Sequence, residues 1–155
     1  MIARLPRRRA WVLGAALFAF AAWALVTMVP GPLLLPLLAQ GAIVAEGEAL
    51  YGEFCASCHG ANLEGQPDWQ IPKPDGTYPA PPHSAEGHTW HHDDAMLLDL
   101  VRRGGAAALA DMGVEFNSAM PAFGDALSDA EIEAILAFIA STWPEEIRQA
   151  REATQ

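Results

Sequence analysis

The 155-residue chain contains two cysteines, and both fall in Cys55-Ala56-Ser57-Cys58-His59. Thiols at this spacing stand about one helical turn apart. Each can add to one of the two vinyl groups of a single haem, and the adjacent histidine then reaches the iron as proximal ligand. This is the spacing of covalent c-type haem attachment. A thioredoxin-like redox pair would need a strand ahead of the motif and alternating strands and helices around it, and the flanking sequence has neither. Zinc would need two further ligands in a compact arrangement, and no second cysteine pair supplies them.

The elements that must position this motif are helical. Ahead of it, Ala49, Leu50, Phe54 and the cysteines fall at helical spacing, with Glu46 and Glu48 in the first turn, so a short helix delivers the motif. Downstream, Asp93 or Asp94 caps a helix whose apolar positions Met96, Leu97, Leu100 and Val101 follow a 3.6 period up to a stop at Gly104-Gly105. A loosely patterned, alanine-rich segment then runs to Asn117-Ser118-Ala119-Met120-Pro121-Ala122-Phe123. Ser128 opens a capping box, Ser-Asp-Ala-Glu, and the helix behind it carries Ile132, Ile135, Leu136, Phe138 and Ile139 on a broad apolar face until Pro144 ends it. Glu145 to Gln155 reads as a charged, frayed helical extension without an assigned role.

Between the motif and these helices lies a proline-rich loop, Gln66 to His92, with Pro67, Pro72, Pro74, Pro79, Pro81 and Pro82. Such a stretch is extended and poorly able to form a core alone. It carries His83, His88, His91 and His92 together with Trp69, Tyr78 and Trp90. In one reading the loop wraps the haem edge, with Trp69 and Trp90 packing on the porphyrin and the histidines largely solvated. In the other, His88, His91 and His92 hold a second metal such as copper, although histidine clustering alone is a weak signal.

From about Ala45 to Trp143 the chain resembles the class I c-type cytochromes. In that family a glycine eight residues and an aromatic four residues before the first cysteine lie on the first helix, and Gly47 and Tyr51 stand there. The resemblance implies that the C-terminal helix crosses the first one, with Ile135 and Phe138 making the usual aliphatic and aromatic contacts to that glycine and aromatic. It implies an all-α fold around one covalent haem held by Cys55, Cys58 and His59. The sixth iron ligand decides between electron transfer and ligand binding. Met28 lies in an apolar run and Met96 on a helix face, which leaves Met112, Met120 and the loop histidines. In the family the ligand methionine sits in a Met-Pro context before the last helix, and Met120-Pro121 matches it. The resemblance therefore points to a His59 and Met120 pair and to one-electron transfer without catalysis. The alternatives are a permanent haem subunit of a larger oxidase, reductase or dehydrogenase, and a ligand-binding haem enzyme or sensor in which the sixth position opens.

Charge divides the chain. All 19 acidic residues lie from Glu46 onward, whereas Arg4, Arg7, Arg8 and Arg9 account for four of the nine basic ones. The part after Ala45 thus sets five basic against 19 acidic residues, a formal charge of −14. Nucleic acid is excluded as a partner for want of a basic patch. A redox protein with a basic docking surface suits this charge, which also serves solubility. Residues 10–29 are 20 consecutive uncharged residues, enough to cross a bilayer, and the arginines ahead of them place the rest of the chain on the outer, periplasmic side of the cytoplasmic membrane. A signal peptide cleaved after Ala45 is the alternative, although Ile43-Val44-Ala45 is a mediocre site and the apolar run is long. Pro30, Pro32 and Pro36 should break the helix after the span, which makes Leu33 to Leu38 an interfacial segment. The expected organisation is an anchor and linker over residues 1–45 and a haem domain over residues 46–155.

Overall fold

The computed structural model describes residues 31–153, with side chains from residue 35 onward. The expected span at residues 10–29 lies outside the described residues. Among those described, no helix is long and apolar enough to cross a membrane. The elements are α1 (Gly31–Phe54), α2 (Ala56–His59), a 3₁₀ turn (Thr89–His91), α3 (Asp94–Arg103), α4 (Gly105–Asp111), α5 (Asp129–Ser141) and α6 (Glu145–Glu152). No strand occurs among the described residues, in keeping with the expected all-α class.

Two compact units divide the chain, Met1–Gln40 and Gly41–Gln155. In the first, residues 31–40 are helical, and the expected break does not occur at Pro32 or Pro36; Pro30 lies outside the described residues. Pro32 is the second helical residue, where no backbone N–H is needed, and Pro36 forgoes a single bond to the carbonyl of residue 32 near the helix start. Leu35, Leu37 and Leu38 of this segment are exposed by 73, 67 and 61%.

In the second unit the later part of α1 crosses α5. A Cβ on Gly47 would stand 1.9 Å from the Ala134 carbonyl oxygen and 3.0 Å from the Ile135 nitrogen, so the approach of the two backbones requires glycine. One turn on, the Tyr51 ring meets Phe138 at 5.5 Å, and its hydroxyl donates to the Gly60 carbonyl at 2.8 Å. The crossing expected from the resemblance is therefore present. Tyr51, Leu63, Leu127, Ile132, Ile135, Ile139 and Trp143 form the buried core around it.

α3 begins at an Asp93 cap, whose carboxylate accepts the Met96 N–H at 2.7 Å, and packs on α5. The capping box at Ser128 is complete, with Glu131 returning to the Ser128 N–H at 2.8 Å. Two expectations are corrected. The alanine-rich segment after Gly104 contains a helix, α4, because a run of alanines is helix-forming even without an amphipathic stripe to announce it. The charged tail is helical as expected, α6, but it is docked rather than frayed, through Arg151, which is only 9% exposed.

Candidate haem-binding site

The attachment motif sits where α1 passes into α2. Cys55 closes α1 through its N–H to the Tyr51 carbonyl at 2.9 Å, and its own carbonyl accepts from Cys58 and His59 at 3.1 and 2.9 Å. The helical path places the two thiols one turn apart. Both are free; Cys58 is exposed and Cys55 half-buried. Burial, and secondarily the proximity of Cys58, push the Cys55 thiol up to about 11, so it keeps its proton at neutral pH.

His59 is 8% exposed. Its Nδ1 lies 2.9 Å from the Pro81 carbonyl oxygen. A carbonyl can only accept, so Nδ1 carries the hydrogen and Nε2 keeps a free lone pair. Burial pulls its pKa below the ordinary histidine value, against the opposing effect of the Pro81 bond, and this favours the neutral, iron-ligating form. Two free thiols at the attachment spacing beside a tautomer-fixed imidazole fit haem c.

The proline-rich loop supplies Pro81, and its backbone is tied to the residues just after the motif. Gly65 N–H bonds to the His59 carbonyl at 2.8 Å, Gln66 N–H to Ala80 at 2.9 Å, and His83 and Ser84 both donate to Leu63 at 2.9 and 3.2 Å. A Cβ on Gly65 would stand 2.5 Å from the Pro82 nitrogen, which is why a residue without a side chain occupies this approach. His83 departs from the expected solvated state. Its ring stacks on His59 with centroids 4.1 Å apart, and burial, followed by the charges of His59 and His88, pushes its pKa down to about 3. The tryptophans meet imidazoles of the same loop: Trp69 stacks on His88 at 5.3 Å and Trp90 on His91 at 3.6 Å. His88 and His92 meet edge to face at 5.4 Å. No three histidine, cysteine or carboxylate groups among the described residues converge to hold a metal ion, so the second-metal reading gains no support from the geometry.

Met120 arrives on a separate strap. Its carbonyl accepts the Gly105 N–H at 3.2 Å and its N–H bonds to Ser118 Oγ at 3.2 Å. Phe123 and Gly124 then donate to the carbonyls of Val101 and Arg102, both at 3.0 Å. Gly104, with φ +82°, would place a Cβ 2.9 Å from the Ala122 nitrogen, and Gly105 one 2.1 Å from Ser118 Oγ. The glycine pair that ends α3 thus lets the strap lie against it. Met120 is half-buried, whereas Met112 closes α4 at 46% exposure and Met96 is half-buried on α3. Cys55, Cys58 and His59 come together on one helical turn; Met120 is held by the α3–α4 junction.

Sequence reasoning missed His83 and Arg151. No periodicity links residues 59 and 83, and a terminal arginine among glutamates resembles any solvated helix. Neither the comparison with curated proteins nor that with solved structures returned a match. The family model described as Cytochrome c matches residues 44–143, well over half of the chain. With the attachment motif and its pinned imidazole inside that range, the chain belongs to the cytochrome c family, whose cofactor is covalently bound haem c.

Proposed function

We propose that this protein is a one-electron carrier, its single haem held by thioether bonds from Cys55 and Cys58 and ligated by His59 and Met120. The observation that carries the reading is the His59 Nδ1–H bond to Pro81, which presents Nε2 beside two free thiols. When bound, haem c supplies an iron that cycles between ferric and ferrous. The chain does the rest. His59 and the soft thioether of Met120 would ligate the iron, a pair that would favour the ferrous state, raise the potential and leave no open position for substrate. Exposed Cys58 marks the edge where electrons enter and leave. The acidic domain suits a partner with a basic docking face.

The location we propose is the outer face of the cytoplasmic membrane, with residues 10–29 retained as a single-pass anchor. The exposed leucines early in α1 support membrane attachment. Permanent membership of a respiratory complex would use the same chemistry, and purification in mild detergent separates the two because a subunit brings its partners along.

The ferric protein should show a weak charge-transfer band near roughly 695 nm, as an Fe–S(thioether) bond produces. Met120→Ala should abolish it and lower the potential, and Met112→Ala should leave both unchanged. An undiminished band in Met120→Ala would remove Met120 from the iron.

A further inference from the structure

The proximal side carries a second imidazole that covalent attachment does not require. His83 lies face to face with His59, planes 21° from parallel, and is held there from several directions. Its Nδ1 pairs with Thr89 Oγ1 at 2.8 Å, and Tyr51 meets the ring edge-on at 6.2 Å. Its backbone N–H donates to the Leu63 carbonyl at 2.9 Å, and its carbonyl accepts the Trp143 indole N–H at 2.7 Å. Thr89 and Trp143 are themselves buried, at 6 and 2% exposure. Leu63 receives this backbone while in the left-handed region, φ 65°, a conformation that a non-glycine residue adopts only where its surroundings hold it.

The Nδ1–H bond to the Pro81 carbonyl fixes the tautomer of His59 and begins to orient its ring. A flat ring laid on its face restricts rotation about the bond to a metal further, and groups that orient a ligand tune the metal behind it. The plane of an axial imidazole fixes which iron d orbitals its π system meets, and hence the spacing of their energies. We infer that His83 is a positioning residue for the proximal ligand: by stacking on His59 it sets the plane of that imidazole about its bond to iron, and with it the electronic state of the haem. This rests on His59 being the proximal ligand.

The test is electron paramagnetic resonance of the ferric holoprotein with a potential measured on the same samples. Covalent haem is verified in each by haem staining after denaturing electrophoresis. His83→Ala and Thr89→Ala should shift or broaden the low-spin g-values and move the potential. His83→Phe keeps a flat ring on His59 and should hold the wild-type g-values. Covalently loaded His83→Ala and Thr89→Ala proteins whose spectra and potentials superimpose on wild type would overturn the inference. If His83→Ala yields no holoprotein, Thr89→Ala decides alone and in the same terms. Covalently loaded His59→Ala protein with wild-type g-values and potential would overturn the His59 assignment itself and this inference with it, whereas a high-spin wild-type signal would speak only against the Met120 ligand.

Discussion

Arg151 shows what a single buried cation can hold. One guanidinium nitrogen donates to the carbonyls of Trp90 (3.3 Å) and His92, the other pairs with Asp94, and the group lies 5.3 Å from the Trp143 ring. Asp94 is 67% exposed, so the ion pair itself contributes little; the carbonyl bonds and the stacking carry most of the effect. Arg151→Ala should cost roughly 1–3 kcal/mol of stability, from lost charge-assisted hydrogen bonds and packing. Lysine should restore only part of it, since an ammonium lacks the planar fork. Urea unfolding followed by far-ultraviolet circular dichroism measures this, and wild-type stability in Arg151→Ala would contradict it. At this scale the attachment motif was fully legible, because covalent chemistry fixes residue type and spacing together. Gly47 and Tyr51 were legible through the family pattern. Arg151 and His83 were not, since their partners lie 57–61 and 24 residues away, across loops without period.

The elements with explicit end signals were the ones the sequence announced. α3 and α5 carry both a cap and an apolar stripe; α4 has a glycine at its start and alanine on every side, which leaves helix propensity as the sole cue. The proline-rich loop reads as extended and unable to form a core alone; the backbone pairing that ties residues 80–84 to residues 63–66 has no side-chain signature. The far part of this loop carries a pH prediction. Partial burial, then the charge of His91, lowers the His88 pKa; for His92 burial again comes first, then His88 and His91. An unfolded histidine titrates near about 6.5, so just below that pH the unfolded chain binds more protons than the folded one. The contribution is therefore fully present above about pH 6.5 and is lost as pH falls through the lower folded values. The thermal midpoint of the holoprotein should decline from about pH 7.5 to about pH 5, and His88→Gln with His92→Gln should make that decline shallower, the remainder belonging to His83, whose pKa is pushed down to about 3. Equal slopes in the two proteins would place the acid sensitivity elsewhere.

At the scale of the molecule, the all-helical architecture of the described residues and covalent haem followed from one motif and two capped helices, while the proposed placement in the cell rests on charge, on length and on the exposed leucines early in α1. The arginine cluster and the uncharged residues 10–29 predict that mature protein keeps its N-terminus and sediments with membranes. Intact mass tests this; a mature chain beginning near Glu46 and remaining in the soluble fraction would indicate a cleaved leader. Function turns on whether the iron is closed on both sides. A carrier with His59 and Met120 both bound offers nothing to an external ligand, whereas a sensor or enzyme must. The most direct measurement is addition of carbon monoxide to the ferrous wild-type protein, followed by optical absorption. The carrier account predicts an unchanged spectrum in the wild type and rapid binding only in Met120→Ala. Rapid, saturating binding by the wild type would contradict it.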